Sequence, residues 1–417
     1  MILWVDEYVE ATVAGTVVAV IFGGRSAEHE VSILTAHEAM AVLREMPAYE
    51  VVPVYITKGG RWLTGEALND LDKFANPEML EASCRPVSLR PMDREVFISE
   101  KPGLFAKAEM TAVDIALPLL HGPNGEDGTL QGALDMLGIP YAMSGVLASA
   151  LCMDKVVTKQ VLTAAGMKQV PYVVATRAGW NANPQAELDK VDALGNVPVF
   201  VKPVRGGSSI GVTFVEDRAS LAPAVELALR FDEEAVIETA IMDAVEVNCS
   251  VLKYGTEVEA SVLELVDAKG GFLTYEQKYM QWSEGGAVKG APAKGAPVKG
   301  APAEGVLGHR IPAPLPDELT ERIQADAKRA FAACTCDGLV RVDFLVKGDD
   351  VLVNEINTIP GSLAFYLWEA SGVPFPELLD RLLTSALKRA DARKSLTFTL
   401  DRNLLAEIEA RKGAKRV

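Results

Sequence analysis

The chain has 417 residues, 49% of them apolar, and a formal net charge of −16 at pH 7. That length predicts two or three domains with a core each, and the acidic balance excludes a broad nucleic-acid surface and docking on anionic lipid. The five cysteines (Cys84, Cys152, Cys249, Cys334, Cys336) show no CxxC and no zinc spacing, so Cys334 and Cys336 read as half-buried thiols and a reducing cytoplasm is the expected location.

Met1 to Gly15 reads as a poorly defined leader, because Asp6, Glu7 and Glu10 stand where a signal peptide needs positive charge and no apolar run reaches membrane-spanning length. Thr16 to Phe22 is a fully apolar strand, broken by Gly23-Gly24, and helical periodicity follows over Val31 to Leu43. With further strands at Val51 to Ile56 and Ala112 to Leu117, residues 16–145 predict an α/β domain with a mostly parallel sheet. Its ligands should sit at the strand C-termini. Lys58 to Met110 mixes charges and prolines and reads as an insertion packed on that domain.

A second unit is expected over 146–240. Val146 to Ala165 is helical, and strands at Val197 to Val201 and Gly211 to Val215 flank Lys202-Pro203-Val204-Arg205-Gly206-Gly207-Ser208-Ser209-Ile210. A hairpin loop of glycine and serine can fold its backbone N–H groups over a triphosphate. The third unit, 241–417, contains a loop over about 283–310 in which Lys289-Gly290-Ala291-Pro292 recurs twice at five-residue spacing. Such a segment has no apolar face to bury and predicts a mobile or polyproline-like loop.

Gly338 to Phe344 and Val351 to Asn357 are alternating apolar strands, with Asp343 on one and Glu355 and Asn357 on the other. Residues two apart on a strand point the same way, and the Lys347 to Asp350 turn lets Asp343 lie across from them. Three hard oxygen ligands on one sheet face predict a magnesium site. Helices are expected at Phe375 to Ala390 and Leu404 to Arg411.

Six segments occur in one order: Gly23 to Ser32, His121 to Gly128, Met153-Asp154-Lys155, Lys202 to Gly211, Tyr275 to Tyr279, and Arg341 to Gly361. Together they resemble the D-alanine:D-alanine ligases of the ATP-grasp superfamily, from Gly23 to about Leu387. The resemblance implies a Rossmann-like α/β preATP-grasp domain followed by a two-subdomain α+β ATP-grasp fold. It also implies the chemistry. One D-alanine carboxylate attacks the γ-phosphate of ATP to give an acyl phosphate, and the amine of a second D-alanine attacks the activated carbonyl.

By the same resemblance, Lys155 and Lys202 hold phosphates, Ser209 belongs to the phosphate cradle, and Lys278 reaches the γ-phosphate. Asp343, Glu355 and Asn357 hold two Mg2+ or Mn2+ ions. Glu238 and the backbone near Ile241 match the adenine hinge, and Glu246 matches the carboxylate that takes the ribose. Glu28 binds the first D-alanine's ammonium in a set with Ser208 and Tyr279, with His121 nearby, while Arg341 and the Gly361 N–H stabilise the tetrahedral oxyanion. Ser362 and Leu363 bind the second D-alanine. His29 replaces an arginine common in the family and reads as a solvated helix cap or a substrate contact.

Two departures stand out. Residues usually found between the Asn-Thr-x-Pro-Gly segment and the Ser-Leu pair are missing, so Gly361 runs directly into Ser362, and the repeat loop falls where the family has its active-site cover. Tyr279 argues against a lactate-using relative, which commonly carries phenylalanine there. The implied partners are D-alanine, ATP and a second copy in a homodimer, with no nucleic acid and no membrane. A related ligase using D-serine or D-lactate, or a nucleotide-binding regulator without turnover, are the alternatives.

Overall fold

The computed structural model describes residues 15–92, 95–100, 110–266 and 309–398, with scattered positions from 400 to 408. The opening is a strand, helix, strand unit: β1 (Thr16–Gly23), α1 (His29–Arg44) and β2 (Tyr49–Ile56), the two strands parallel and in register. The expected insertion continues this sheet. It contributes β3 (Trp62–Thr64), α2 (Pro77–Ala82), β4 (Arg85–Met92), β5 (Glu95–Glu100) and β6 (Met110–Val113), paired antiparallel outward from β2. β7 (Ile115–Pro118) returns to pair parallel with β1 on its other side.

The strand expected over Ala112 to Leu117 is therefore two strands. Asp114 divides them: its carboxylate accepts the Val17 N–H at 2.8 Å, and its own N–H donates to the Val17 carbonyl at 3.1 Å. The seven strands run β6-β5-β4-β3-β2-β1-β7.

α3 (Thr129–Leu137) leads to α4 (Val146–Met153) and α5 (Lys155–Ala164), where the sequence predicts one helix. The break falls at Asp154. Its backbone is extended, and its carboxylate caps the N–H groups of Val156 and Val157, a geometry that starts a new helix rather than continuing the old one. Lys155 is thereby the first residue of α5.

The second sheet holds β8 (Tyr172–Thr176), β9 (Val199–Pro203), β10 (Thr213–Val215) and β11 (Glu234–Thr239) in the antiparallel order β10-β9-β11-β8. α6 (Arg177–Ala182), α7 (Pro184–Asp189) and α8 (Leu221–Ala228) accompany it. β9 and β10 form the expected hairpin, with Val201 opposite Thr213.

The third sheet is β12 (Val245–Tyr254), β13 (Glu257–Val266), β14 (His309–Arg310), β15 (Leu339–Lys347) and β16 (Asp350–Asn357), all antiparallel in the order β14-β13-β12-β15-β16. α9 (Asp317–Ala333) covers its apolar face, and α10 (Phe365–Ala370) and α11 (Phe375–Lys394) follow.

The cores cross the boundaries expected at 146 and 241. Ala148, Cys152 and Leu162 of α4 and α5 share a core with Val247, Val342 and Phe331, so these two helices pack on the third sheet, not the second. Leu378, Leu379, Leu382 and Leu383 of α11 share a core with Val18, Met40 and Leu43, so the long late helix backs the first sheet. Tyr49 on β2 donates its hydroxyl to Asp380 at 2.7 Å along the same contact. The helix expected at Leu404 to Arg411 is helical at residues 404–406 and 408 and otherwise lies outside the described residues.

Candidate active site

Alternation on β15 buries Val340, Val342 and Phe344 against the α9 side and turns Arg341 and Asp343 to the other face, and a bulge in the β15–β16 register beside Asp343 lets Val353 and Ile356 both join that core while Glu355 and Asn357 face Asp343 and Arg341. On that face Asp343 lies directly across from Glu355, and Arg341 across from Asn357. The row continues sideways, because Asp343 also pairs with Asn248 on β12, and Asn248 with Glu264 on β13. Arg341 grips Asp343 with two hydrogen bonds, Nε to Oδ1 at 2.7 Å and Nη2 to Oδ2 at 2.8 Å, and the Asn357 amide donates to Oδ2 at 3.0 Å. Burial works against the guanidinium's charge, but Asp343 and, to a smaller extent, Glu264 hold it on.

Among the described residues no three His, Cys, Asp or Glu side chains are spaced to hold a metal ion. The expected set has two carboxylates and an amide facing one another on a buried sheet face, a donor chemistry that fits Mg2+ or Mn2+.

A cavity opens between the second and third sheets, lined by Lys155, Lys202, Gly206, Gly207, Ser209, Glu238, Ile241, Glu246 and Glu355 among others. Lys202 is carried in by the last turn of β9, with Val201 and Pro203 buried on either side. Its amine sits 2.7 Å from Glu238 Oε2, and the other oxygen of that carboxylate is 3.0 Å from the buried Lys159 amine. Burial would raise Glu238, yet Lys202 and then Lys159 bring it down to about 2. Glu238 also raises Lys202, against burial. The Lys155 amine donates to the Gly206 carbonyl; burial pulls its basicity down and Glu355 opposes that.

Glu28 stands at the N-cap position of α1 without bonding the helix through its side chain, and the Ser208 hydroxyl of the glycine-rich loop donates to its carboxylate. The reason for glycine at two neighbouring positions is visible here. A Cβ on Gly207 would stand 2.9 and 3.0 Å from the Glu28 oxygens, and one on Gly122, whose φ is +73°, would stand 2.5 Å from Oε2.

His121 is buried beside this cluster, 3.0 Å from Thr35 Oγ1 through Nε2, and desolvation lowers it to about 4, so it is neutral. Its other neighbour is the backbone of Ile359.

The Ser362 N–H donates to Thr35 Oγ1 at 3.1 Å, and its buried hydroxyl faces the Glu38 carboxyl, which burial raises to about 7 against the pull of Ser362. Ser362, Leu363 and Ala364 all have φ near +50°, a left-handed run that turns the chain sharply after Gly361. Leu363 is fully buried in the core that α11 shares with the first sheet, which differs from its expected place in a substrate pocket. Space in front of Gly361 is open, with nothing within 4 Å of where a Cβ would be. Lys278 and Tyr279 lie outside the described residues, as does the repeat loop.

Three expectations need correction or addition. His29 is not a solvated cap: it is buried, with Nδ1 2.7 Å from the Gly24 carbonyl and Nε2 2.9 Å from the Tyr55 hydroxyl. Cys334 and Cys336 are buried rather than half-buried, with Cys336 Sγ 3.8 Å from Cys152 Sγ. Glu126, given no role from the sequence, joins two blocks by accepting the N–H of Gly122 at 2.9 Å and of Ile359 at 3.1 Å. Its place between two loops was the available signal, but only the fold brings Ile359 to it.

Known proteins were compared with this arrangement. The model described as D-ala D-ala ligase N-terminus matches residues 17–144, and that described as D-ala D-ala ligase C-terminus matches residues 161–294 and 304–384. The chain belongs to the D-Ala-D-Ala ligase family. It is 40% identical over 391 residues to a D-alanine--D-alanine ligase of Streptomyces avermitilis, covering 89% of this chain and 94% of that one. To one from Thermosipho africanus it is 35% identical, covering 93% and 97%.

Among solved structures, the D-alanine-D-alanine ligase from Coxiella burnetii superposes with a TM-score of 0.71 at 28% identity, covering 97% of this chain and 100% of that one. VanG D-Ala:D-Ser ligase from Enterococcus faecalis gives 0.71 at 30%, covering 89% and 99%. The fold is therefore that of the D-Ala-D-Ala ligases, the mixed α/β architecture with several sheets expected of an ATP-grasp enzyme.

Proposed function

We propose that this enzyme joins two D-alanine molecules to D-alanyl-D-alanine at the expense of ATP. The observation that carries the reading is the convergence of three separate blocks on one buried face: Glu28 with Ser208, Lys155 with Lys202 around the glycine-rich loop, and Arg341 with Asp343 and Glu355. ATP lies in the cavity with its base near Glu238 and Ile241 and its ribose at Glu246, and Lys155, Lys202, Ser209 and Lys278 neutralise the phosphates. Those cations reduce the repulsion between the triphosphate and the incoming carboxylate. Asp343, Glu355 and Asn357 would hold Mg2+ or Mn2+, whose charge supports phosphoryl transfer.

Glu28, oriented by Ser208 and Tyr279, holds the first D-alanine's ammonium, and neutral His121 donates or accepts a hydrogen bond without adding charge. Arg341 and the Gly361 N–H face the developing oxyanion. Ser362 is proposed to bind the second D-alanine, although the ligand-free position of Leu363 in the core confines that pocket to the Ser362 side. The domain organisation we propose is 16–145, 146–240 and 241–417, with α4, α5 and α11 packing across those limits. A cytoplasmic homodimer supplying peptidoglycan precursor is the setting the family suggests.

The likeness to a D-Ala:D-Ser ligase and the shortened segment after Gly361 keep D-serine as a second acceptor to be tested. The experiment measures ADP release by the purified chain with ATP, Mg2+ and a panel of D-amino and D-hydroxy acids, with product masses recorded. D-Ala-D-Ala as the main product is expected; D-Ala-D-Ser as the main product, or no turnover with any pair, would overturn the assignment.

A further inference from the structure

Glu264 ends the polar row that runs across the third sheet through Asn248, Asp343 and Glu355. It is 1% exposed and held on both sides, toward the candidate site through Asn248 and toward the sheet edge through His309. Oε2 accepts the Asn248 amide at 3.0 Å and the Tyr366 hydroxyl at 3.1 Å, and Oε1 meets His309 Nδ1 at 2.7 Å. Tyr366 stands in α10, four residues past Ser362. The Glu264 carboxylate lies close enough to the Arg341 guanidinium to stabilise its charge.

A buried carboxylate is costly unless its partners are worth holding. In the ligand-free arrangement Arg341 rests on Asp343. Asp343 would also be needed to hold a cation, so a second fixed negative charge on the same face would keep the guanidinium in place. Glu264 is that charge, and its bond to Tyr366 fixes that ring.

We propose that Glu264 is a positioning residue for acyl transfer, which holds Tyr366 beside Arg341 and keeps the guanidinium aimed at the reacting carbonyl, with His309 as its counter-charge. The proposal rests on the ligase reading of the site. His309 is faced by Glu264 from β13, by Glu246 from β12 and by Arg341 from β15. The hydrogen bond from Glu264 raises the imidazole above its usual value, burial opposes this, Glu246 adds to it and Arg341 subtracts. The ion pair is therefore present at low pH and lost as pH rises through the raised value, which gives the transfer step an alkaline decline.

The test uses the full chain with Glu264→Gln, Tyr366→Phe, the double variant and His309→Gln. A glutamine can still accept from Asn248 and Tyr366 and donate to a neutral His309, so the fold is retained. Glu264→Gln should lower kcat at least roughly tenfold while the KM for ATP stays within about twofold. The double variant should be no worse than Glu264→Gln alone, because both act through one contact. His309→Gln should remove the alkaline decline.

The proposal is overturned by wild-type kcat in Glu264→Gln, by additive losses in the double variant, by losses that only follow a lowered Tm, or by an unchanged pH profile in His309→Gln. If the wild type gives no D-alanine-dependent ADP release, the ligase reading fails by itself. The variants are then assayed with whichever acceptor the wild type uses, and a wild type that uses none overturns both.

Discussion

At the scale of single residues, the glycine-rich loop is constrained more by what it touches than by its flexibility. Gly207 faces the Glu28 carboxylate at a distance that no real Cβ contact tolerates. Gly207→Ala must move either the loop or Glu28, so the KM for the first D-alanine should rise roughly tenfold, the equivalent of one charge-assisted hydrogen bond. The KM for ATP should change less. Equal weakening of both substrates in steady-state kinetics would mean that Gly207 serves the phosphates and not Glu28.

Glu238 makes a second residue-scale case. It is 2% exposed and lies between Lys202 and Lys159, so Glu238→Gln would leave two buried ammonium groups facing a neutral amide. Breaking a buried pair of this kind costs about 3–5 kcal/mol. Its carboxyl is lowered to about 2, so the stabilisation is present above the usual carboxylate value and is lost as pH falls through about 2. Urea unfolding at pH 7 should show the full loss in the variant, with the gap to wild type closing in acid. A gap independent of pH would point to packing instead of charge.

Secondary-structure elements show which parts of the molecule were legible in sequence and which were not. Apolar alternation and helical periodicity are local, so β1, α1, β2 and the β15–β16 hairpin stand where the residues predict them, with Asp343 across from Glu355. Breaks made by one polar residue are harder to see. Asp154 reads as a tolerable helix residue until its carboxylate is found capping the next helix, and Asp114 reads as part of a strand until it bonds to Val17.

Contacts between segments far apart in sequence leave no local signal at all. The approach of Cys152 to Cys336 spans 184 positions, and the link from Glu126 to Ile359 spans 233. The packing of α11 on the first sheet belongs to this class and can be tested. Leu382 is 1% exposed in a core that includes Val18, Met40 and Leu43. Leu382→Ala should cost about 2–5 kcal/mol and should raise hydrogen exchange in β1 and α1. If exchange rose only in α11 and the third sheet, the helix would not be part of the first core.

For the molecule as a whole, three blocks that fold around separate sheets present carboxylates to a common interior, and their mutual repulsion must be managed before any cation arrives. Glu126 occupies that interior between Glu28 and Glu355. Burial first, then the charge of Glu28 and, to a smaller extent, of Glu355 push it up to about 8, while the N–H groups of Gly122 and Ile359 pull the other way.

A carboxyl raised above its ordinary value holds its proton in the folded state. Its contribution is complete below the usual carboxylate range and is lost as pH rises through about 8. The ligand-free protein should therefore lose stability between about pH 5 and pH 8 on this account, and Glu126→Gln, which keeps an acceptor for one of the two N–H groups and cannot ionise, should flatten that slope. An ammonium bound at Glu28 would screen the main repulsion and lower Glu126, so D-alanine binding at pH 7 should release a fraction of a proton. Calorimetry of D-alanine binding in buffers of different ionisation enthalpy measures that proton directly, and Glu126→Gln should abolish it. Proton release unchanged in the variant would place the titrating group elsewhere and remove Glu126 from the coupling between the first block and the loop that leads to Gly361.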